Sequence, residues 1–136
     1  MSEQNKAIVQ QAYNNFKTGN IEGLLNLMSD DITWTLPEMA GVPFAGKRSG
    51  RDAVSEFFGT LGLTQDSLRF EPREMIAEGD KVISLGSYDW RVKANNREFG
   101  GDFAHIFTVR EGKIVDFHEY MDTAACIAAH QKAMSA

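Results

Sequence analysis

Along the first sixty residues, apolar positions recur at helical spacing. Over 3–18, Ile8, Ala12 and Phe16 stand four apart with Val9 and Tyr13 one step around, which predicts an amphipathic helix. Ser2 is placed to cap its start and Gly19 to end it. Asn20 then caps a short second helix with Ile21, Leu24, Leu25 and Met28 on one side. Asp30 and Asp31 break that helix and lead into a strand, Ile32-Thr33-Trp34-Thr35-Leu36, halted by Pro37. Residues 37–50 form a long loop carrying Pro37, Gly41, Pro43, Gly46 and Gly50, and loops of that length are usually functional or tightly packed. Ser49, followed three residues later by Asp52, resembles a weakened capping box. It precedes a third helix whose stripe is Ala53, Val54, Phe57, Phe58 and Leu61.

From about residue 67 the period changes from 3.6 to 2. Four antiparallel strands are predicted over 67–77, 80–92, 97–109 and 113–122. Their turn signals are Glu78-Gly79-Asp80, Ala94-Asn95-Asn96 and Glu111-Gly112. Asp122 caps a short C-terminal helix reaching to about His130. Helices first and a long-stranded meander second is an α+β pattern, and no repeat or linker divides residues 1–136. One domain is expected.

The register of the last hairpin decides which side chains meet. A three-residue loop with a left-handed Gly112 pairs Val109 with Lys113. Phe103, His105, Phe107, Val109, Val115, Phe117, Glu119 and Met121 then share one face. Asp102, Ala104, Ile106, Thr108, Arg110, Ile114, Asp116, His118, Tyr120 and Asp122 share the other. A two-residue loop pairs Arg110 with Lys113 and moves Asp116 and His118 to the aromatic face. The first register segregates apolar from polar better, because a one-residue slip inverts a whole strand. It sets His105 and Glu119 on an apolar face, diagonal to one another.

Composition mainly excludes. With 14 Lys+Arg against 19 Asp+Glu, a net charge of −5, and no basic cluster, nucleic acid is not an expected partner. Apolar runs span only a few residues, against about 20 for a membrane crossing, and the N-terminal segment is too polar for a signal peptide. A single cysteine, Cys126, excludes an internal disulfide and a thiolate cluster. The chain reads as cytoplasmic.

The chemistry then rests on two residues. A carboxylate on a phenylalanine-rich face must be paired or neutralised, and a histidine beside it is oriented and made more basic. His105 and Glu119 therefore read either as a buried structural pair or as an acid–base unit. Tyr13, at the edge of the first helix's apolar face, is either packing or a hydroxyl turned into a pocket. Trp34 belongs to the core or a pocket wall. Tyr88 and Trp90 are interface or pocket aromatics on a strand whose alternation does not orient it. His105 and His118 fall on opposite faces, no HxH or HExxH is present, and no phosphate-binding glycine loop occurs. Neither metal nor cofactor is expected.

The order of elements, the Pro43-Phe44-Ala45-Gly46 loop with Gly50, and the strand pair from His105 to Asp122 resemble the SnoaL-like polyketide cyclases of the ketosteroid isomerase and nuclear transport factor 2-like (NTF2-like) superfamily. The resemblance covers about residues 5–130. It implies a cone-shaped fold in which a strongly curved antiparallel sheet packs against N-terminal helices around a central cavity, often as a homodimer. An outer apolar patch of Ile106, Ile114 and Tyr120 points to the same assembly. The family's cavity histidine and the acidic residue fourteen positions later match His105 and Glu119, with Glu in place of the more familiar Asp, and its first-helix tyrosine matches Tyr13. The isomerases' general-base aspartate position holds Leu36, before Pro37, and their oxyanion-hole acid position holds His105. Steroid isomerisation by the standard residues is therefore not expected. Nor is the superfamily's Asp–Arg–Asp epoxide hydrolysis.

The expected activity is cofactor-independent acid–base chemistry (isomerase, cyclase or lyase type) on a small apolar carbonyl compound. His105, Glu119 and Tyr13 are the candidate catalytic residues, and Trp34, Phe57, Trp90, Phe103, Phe117 and Met121 the candidate substrate contacts. The rival is a non-catalytic ligand-binding or dimerisation module of the same fold.

Overall fold

The computed structural model describes residues 2–131. The chain runs α1 (Ser2–Lys17), α2 (Ile21–Leu25), β1 (Met28–Thr35), β2 (Lys47–Ser49), α3 (Arg51–Thr64), β3 (Gln65–Glu78), β4 (Lys81–Val92), β5 (Glu98–Arg110), β6 (Lys113–Tyr120) and α4 (Thr123–Gln131). Helix α1 buries Val9, Ala12 and Tyr13, and α3 buries Val54, Phe57 and Leu61. These faces close over one side of the sheet. Among the described residues, no helix is long and apolar enough to cross a membrane.

The sheet corrects the expected fold. It has six strands in the order β2-β1-β6-β5-β4-β3, an open sheet with β2 and β3 at its edges. It is not the strongly curved antiparallel sheet of a cone. It is mixed: β1 runs parallel to β6, with Trp34 beside Phe117 and Thr35 beside His118. Tight turns force antiparallel pairing on β3 through β6, but no tight turn joins β1 to β6, so local sequence carries no signal of their direction.

Two smaller expectations also change. Asp30 and Asp31 lie within β1 instead of breaking a helix before it, exposed beside a register irregularity between Met28 and Thr33. The cap of α3 is Gly50 at φ +89°, without a side-chain hydrogen bond, while Ser49 stays in β2 opposite Thr33. Glycine is favoured there because a Cβ is strained at positive φ. Gly100 permits close approach of the paired strand: a Cβ there would stand 2.1 Å from Asp89 Oδ1 and 2.5 Å from the Tyr88 carbonyl oxygen.

The β5–β6 hairpin combines features of both registers considered. Arg110 pairs with Lys113 across a two-residue turn, with Glu111 at φ +50° and Gly112 at φ +76°, as a type I′ turn requires. A bulge at Val115 then shifts the ladder, so that Thr108 faces Asp116 and Phe107 faces Phe117. The bulge restores the expected parity beyond it, but His105 stands directly opposite Glu119 instead of diagonal to it. It also turns Ile114 inward, fully buried, where the outer face was expected. The outer apolar patch thereby shrinks to half-buried Ile106 and exposed Tyr120.

Asp122 precedes α4, and its Oδ1 accepts the Ala125 amide at 3.0 Å. This satisfies an otherwise unpaired first-turn donor. Asp122→Ala should therefore cost about 0.5–2 kcal/mol by chemical denaturation.

Candidate functional site

Between α1, α3 and the sheet lies a cavity of about 70 Å³ whose wall is almost wholly aromatic and aliphatic. Trp34, Phe57, Trp90 and Phe117 line it, as do Tyr13, His105 and Glu119. Trp34 stacks on Phe117 with ring centroids 3.9 Å apart. Phe103 and Met121 do not line it. Phe103 stacks flat against His105 at 4.1 Å, and Met121 packs half-buried against the core.

The polar groups form one row across the sheet. Tyr13 Oη on α1 lies 2.8 Å from His105 Nδ1 on β5. His105 Nε2 stands 3.3 Å from Glu119 Oε2 on β6, close enough for an ion pair but without hydrogen-bond alignment. From β4, the Tyr88 hydroxyl donates to the same Oε2 at 2.9 Å. Strand parity explains the convergence: Tyr88, His105 and Glu119 all project from the helix-covered face.

Burial pushes the Tyr13 phenol well above its usual range, with a smaller opposing effect from the Ser84 hydroxyl and a further push from the charge on Glu119. Tyr88 is raised in the same way by burial, by the negative charge of Glu119, and by donating to it. Both phenols therefore stay protonated. Tyr13 is assigned as donor to Nδ1, which places the proton of a neutral imidazole on Nε2, facing Glu119. Two donors are thus committed within the row, Tyr13 to Nδ1 and Tyr88 to Oε2, while the His105 Nε2 proton stands against Oε2 without a hydrogen bond. Glu119 Oε1 receives no donor among the described residues.

Tyr88's bond to Glu119 is the feature that sequence reasoning missed. A signal existed in the alternation of Val82, Ser84, Gly86, Tyr88 and Trp90, all of which prove buried, but it needed the β4–β5 register to orient it. Half-buried Phe16, Phe58 and Phe70 also line the cavity, against which the other lining phenylalanines are buried.

Cys126 lies outside the row. Burial, followed by the fields of Glu119 and Asp122, pushes its thiol up to about 12. At pH 8 that leaves about 10⁻⁴ of it as thiolate, the reactive form. Native protein should resist a thiol reagent at pH 8 and react promptly once denatured; fast native labelling would contradict this environment. No group of three or more His, Cys, Asp or Glu among the described residues is placed to hold a metal ion.

The sequence matches the family model of the SnoaL-like domain over residues 9–117, and the chain belongs to that family. Its fold is that of the NTF2-like proteins, a group associated with small-molecule binding and in some members with catalysis. An NTF2-like protein from Burkholderia xenovorans LB400 is 31% identical, with a TM-score of 0.87, covering 96% of this chain and 98% of that one. An NTF2-like protein of unknown function from Burkholderia pseudomallei K96243 is 27% identical, with a TM-score of 0.87 and coverage of 95% and 98%. TerC, crystallised with polyporic acid, is 26% identical, with a TM-score of 0.82 and coverage of 94% and 98%. No curated protein matches the sequence.

Proposed function

We propose that the protein is a cofactor-independent acid–base enzyme whose base is Glu119, acting on a compact, apolar carbonyl compound. One observation carries the reading. In an otherwise apolar cavity, a nearly buried carboxylate has its hydrogen bond and its histidine contact on one oxygen, leaving the other to a ligand. Glu119 Oε1 takes a proton from the carbon next to the carbonyl. The C–H electron pair becomes the C=C bond of an enolate, the carbonyl π pair moves to oxygen, and the proton returns at the same or another carbon. Tyr88 and His105 hold the carboxylate, and Tyr13 fixes the ring of His105. Tyr13 and His105 are thus positioning residues here. Fixed groups in a water-poor cavity need no reorganisation as charge develops.

The aromatic wall supports a flat ligand, and TerC's crystallisation with polyporic acid supports organic ligands in a relative. The volume, about 70 Å³ against about 300–1,000 Å³ for drug-sized sites, favours a compact one. The test is proton exchange. Small aryl ketones incubated with the protein in D₂O should lose their α-proton NMR signal faster than in buffer. Buffer-level rates across the panel would favour the rival, a ligand-binding module.

A further inference from the structure

Resting on that reading, a gap remains: charge moving onto a carbonyl oxygen needs a hydrogen-bond donor, and neither phenol of the row is free to give one. Tyr13 donates to His105, Tyr88 donates to Glu119, and the His105 Nε2 proton faces Glu119. The cavity wall holds another donor. Trp34 is 6% exposed and lines the cavity, and its indole N–H is buried without any acceptor. An indole nitrogen only donates, and buried tryptophans ordinarily find a partner. Leaving a buried donor unpaired is costly, so something other than the protein is expected to supply the acceptor.

We propose that Trp34 Nε1–H is the hydrogen-bond donor to the ligand's carbonyl oxygen, and to the enolate oxygen that forms when Glu119 removes the proton. The placement suits the role. Trp34 and Phe117 are neighbours on paired strands and stack face to face, and Glu119 lies two residues beyond Phe117 on the same face. Base and donor are thus set on adjacent strands of one wall. Half-buried Phe58 meets the indole edge-on at 5.4 Å, and both rings line the cavity. The ligand class narrows accordingly: an enolisable ketone with its oxygen toward β1 and its acidic carbon toward Glu119.

The sequence has two tryptophans, so ¹⁵N-tryptophan labelling gives two indole signals, and Trp34→Phe assigns them. The probes are acetophenone and α-methylstyrene, which replaces the carbonyl oxygen with a methylene group. Acetophenone should move the Trp34 N–H proton downfield while α-methylstyrene leaves it nearly in place. W34F should bind acetophenone about tenfold more weakly, the scale of one hydrogen bond, and α-methylstyrene about equally well. A downfield shift confined to Trp90, the same response to both probes, or no binding of either would overturn the proposal. The shift in unmutated protein stands even if W34F folds poorly. Exchange lost in E119Q with Trp34 silent to acetophenone would overturn Trp34's role alone, leaving Glu119 as the base.

Discussion

Glu119→Gln should lower the rate of α-proton exchange into a bound ketone by about 10²–10⁴-fold, the scale of general-base catalysis. The amide keeps the volume of the carboxylate, and its carbonyl oxygen still accepts the Tyr88 hydroxyl, so the cavity and ligand affinity should change little. What disappears is the proton acceptor at Oε1. Fluorescence of the cavity tryptophans gives the affinity, and NMR the exchange rate. Wild-type exchange in the variant, with ligand bound, would remove Glu119 from the role of base. His105→Ala should be milder, because His105 touches Oε2 and not the reacting atoms.

Phe117→Ala should cost about 3–5 kcal/mol in chemical denaturation, among the largest losses of any single truncation here. Phe117 is 3% exposed and stacks on Trp34, meets His105 edge-on at 5.0 Å, and packs on Phe107 at 5.0 Å. Its loss leaves a void that adjoins the cavity already present. The variant should therefore also admit bulkier ligands than the native protein. A cost below about 1 kcal/mol would mean that the aromatic wall collapses readily, and that the cavity is not held open by packing.

Much of this was legible from periodicity. The stripes of α1 and α3 predicted which faces would be buried, and alternation predicted four long strands close to those observed. The common face of His105, Phe107, Phe117 and Glu119 followed from the parity of β5 and β6. The register itself did not, because a bulge moves pairing by a residue without a composition signal as clear as a turn. The adjacent apolar pair Ile114-Val115, breaking an otherwise alternating strand, was the one trace of it. The parallel partnership of β1 and β6 left no local trace, since pairing between strands distant in sequence is set by the whole fold. Nor could the sequence show that Tyr88 and His105 converge on a single oxygen of Glu119. That depends on three strands' registers at once.

The most direct measurement of the central claim is a crystal structure of the protein with acetophenone bound. The ketone should lie within the cavity lined by Trp34, Phe57, Trp90 and Phe117. Its methyl carbon should lie against Glu119 Oε1 while Tyr88 remains on Oε2. Ketone bound elsewhere, or bound in the cavity with its methyl carbon turned away from Glu119, would contradict it.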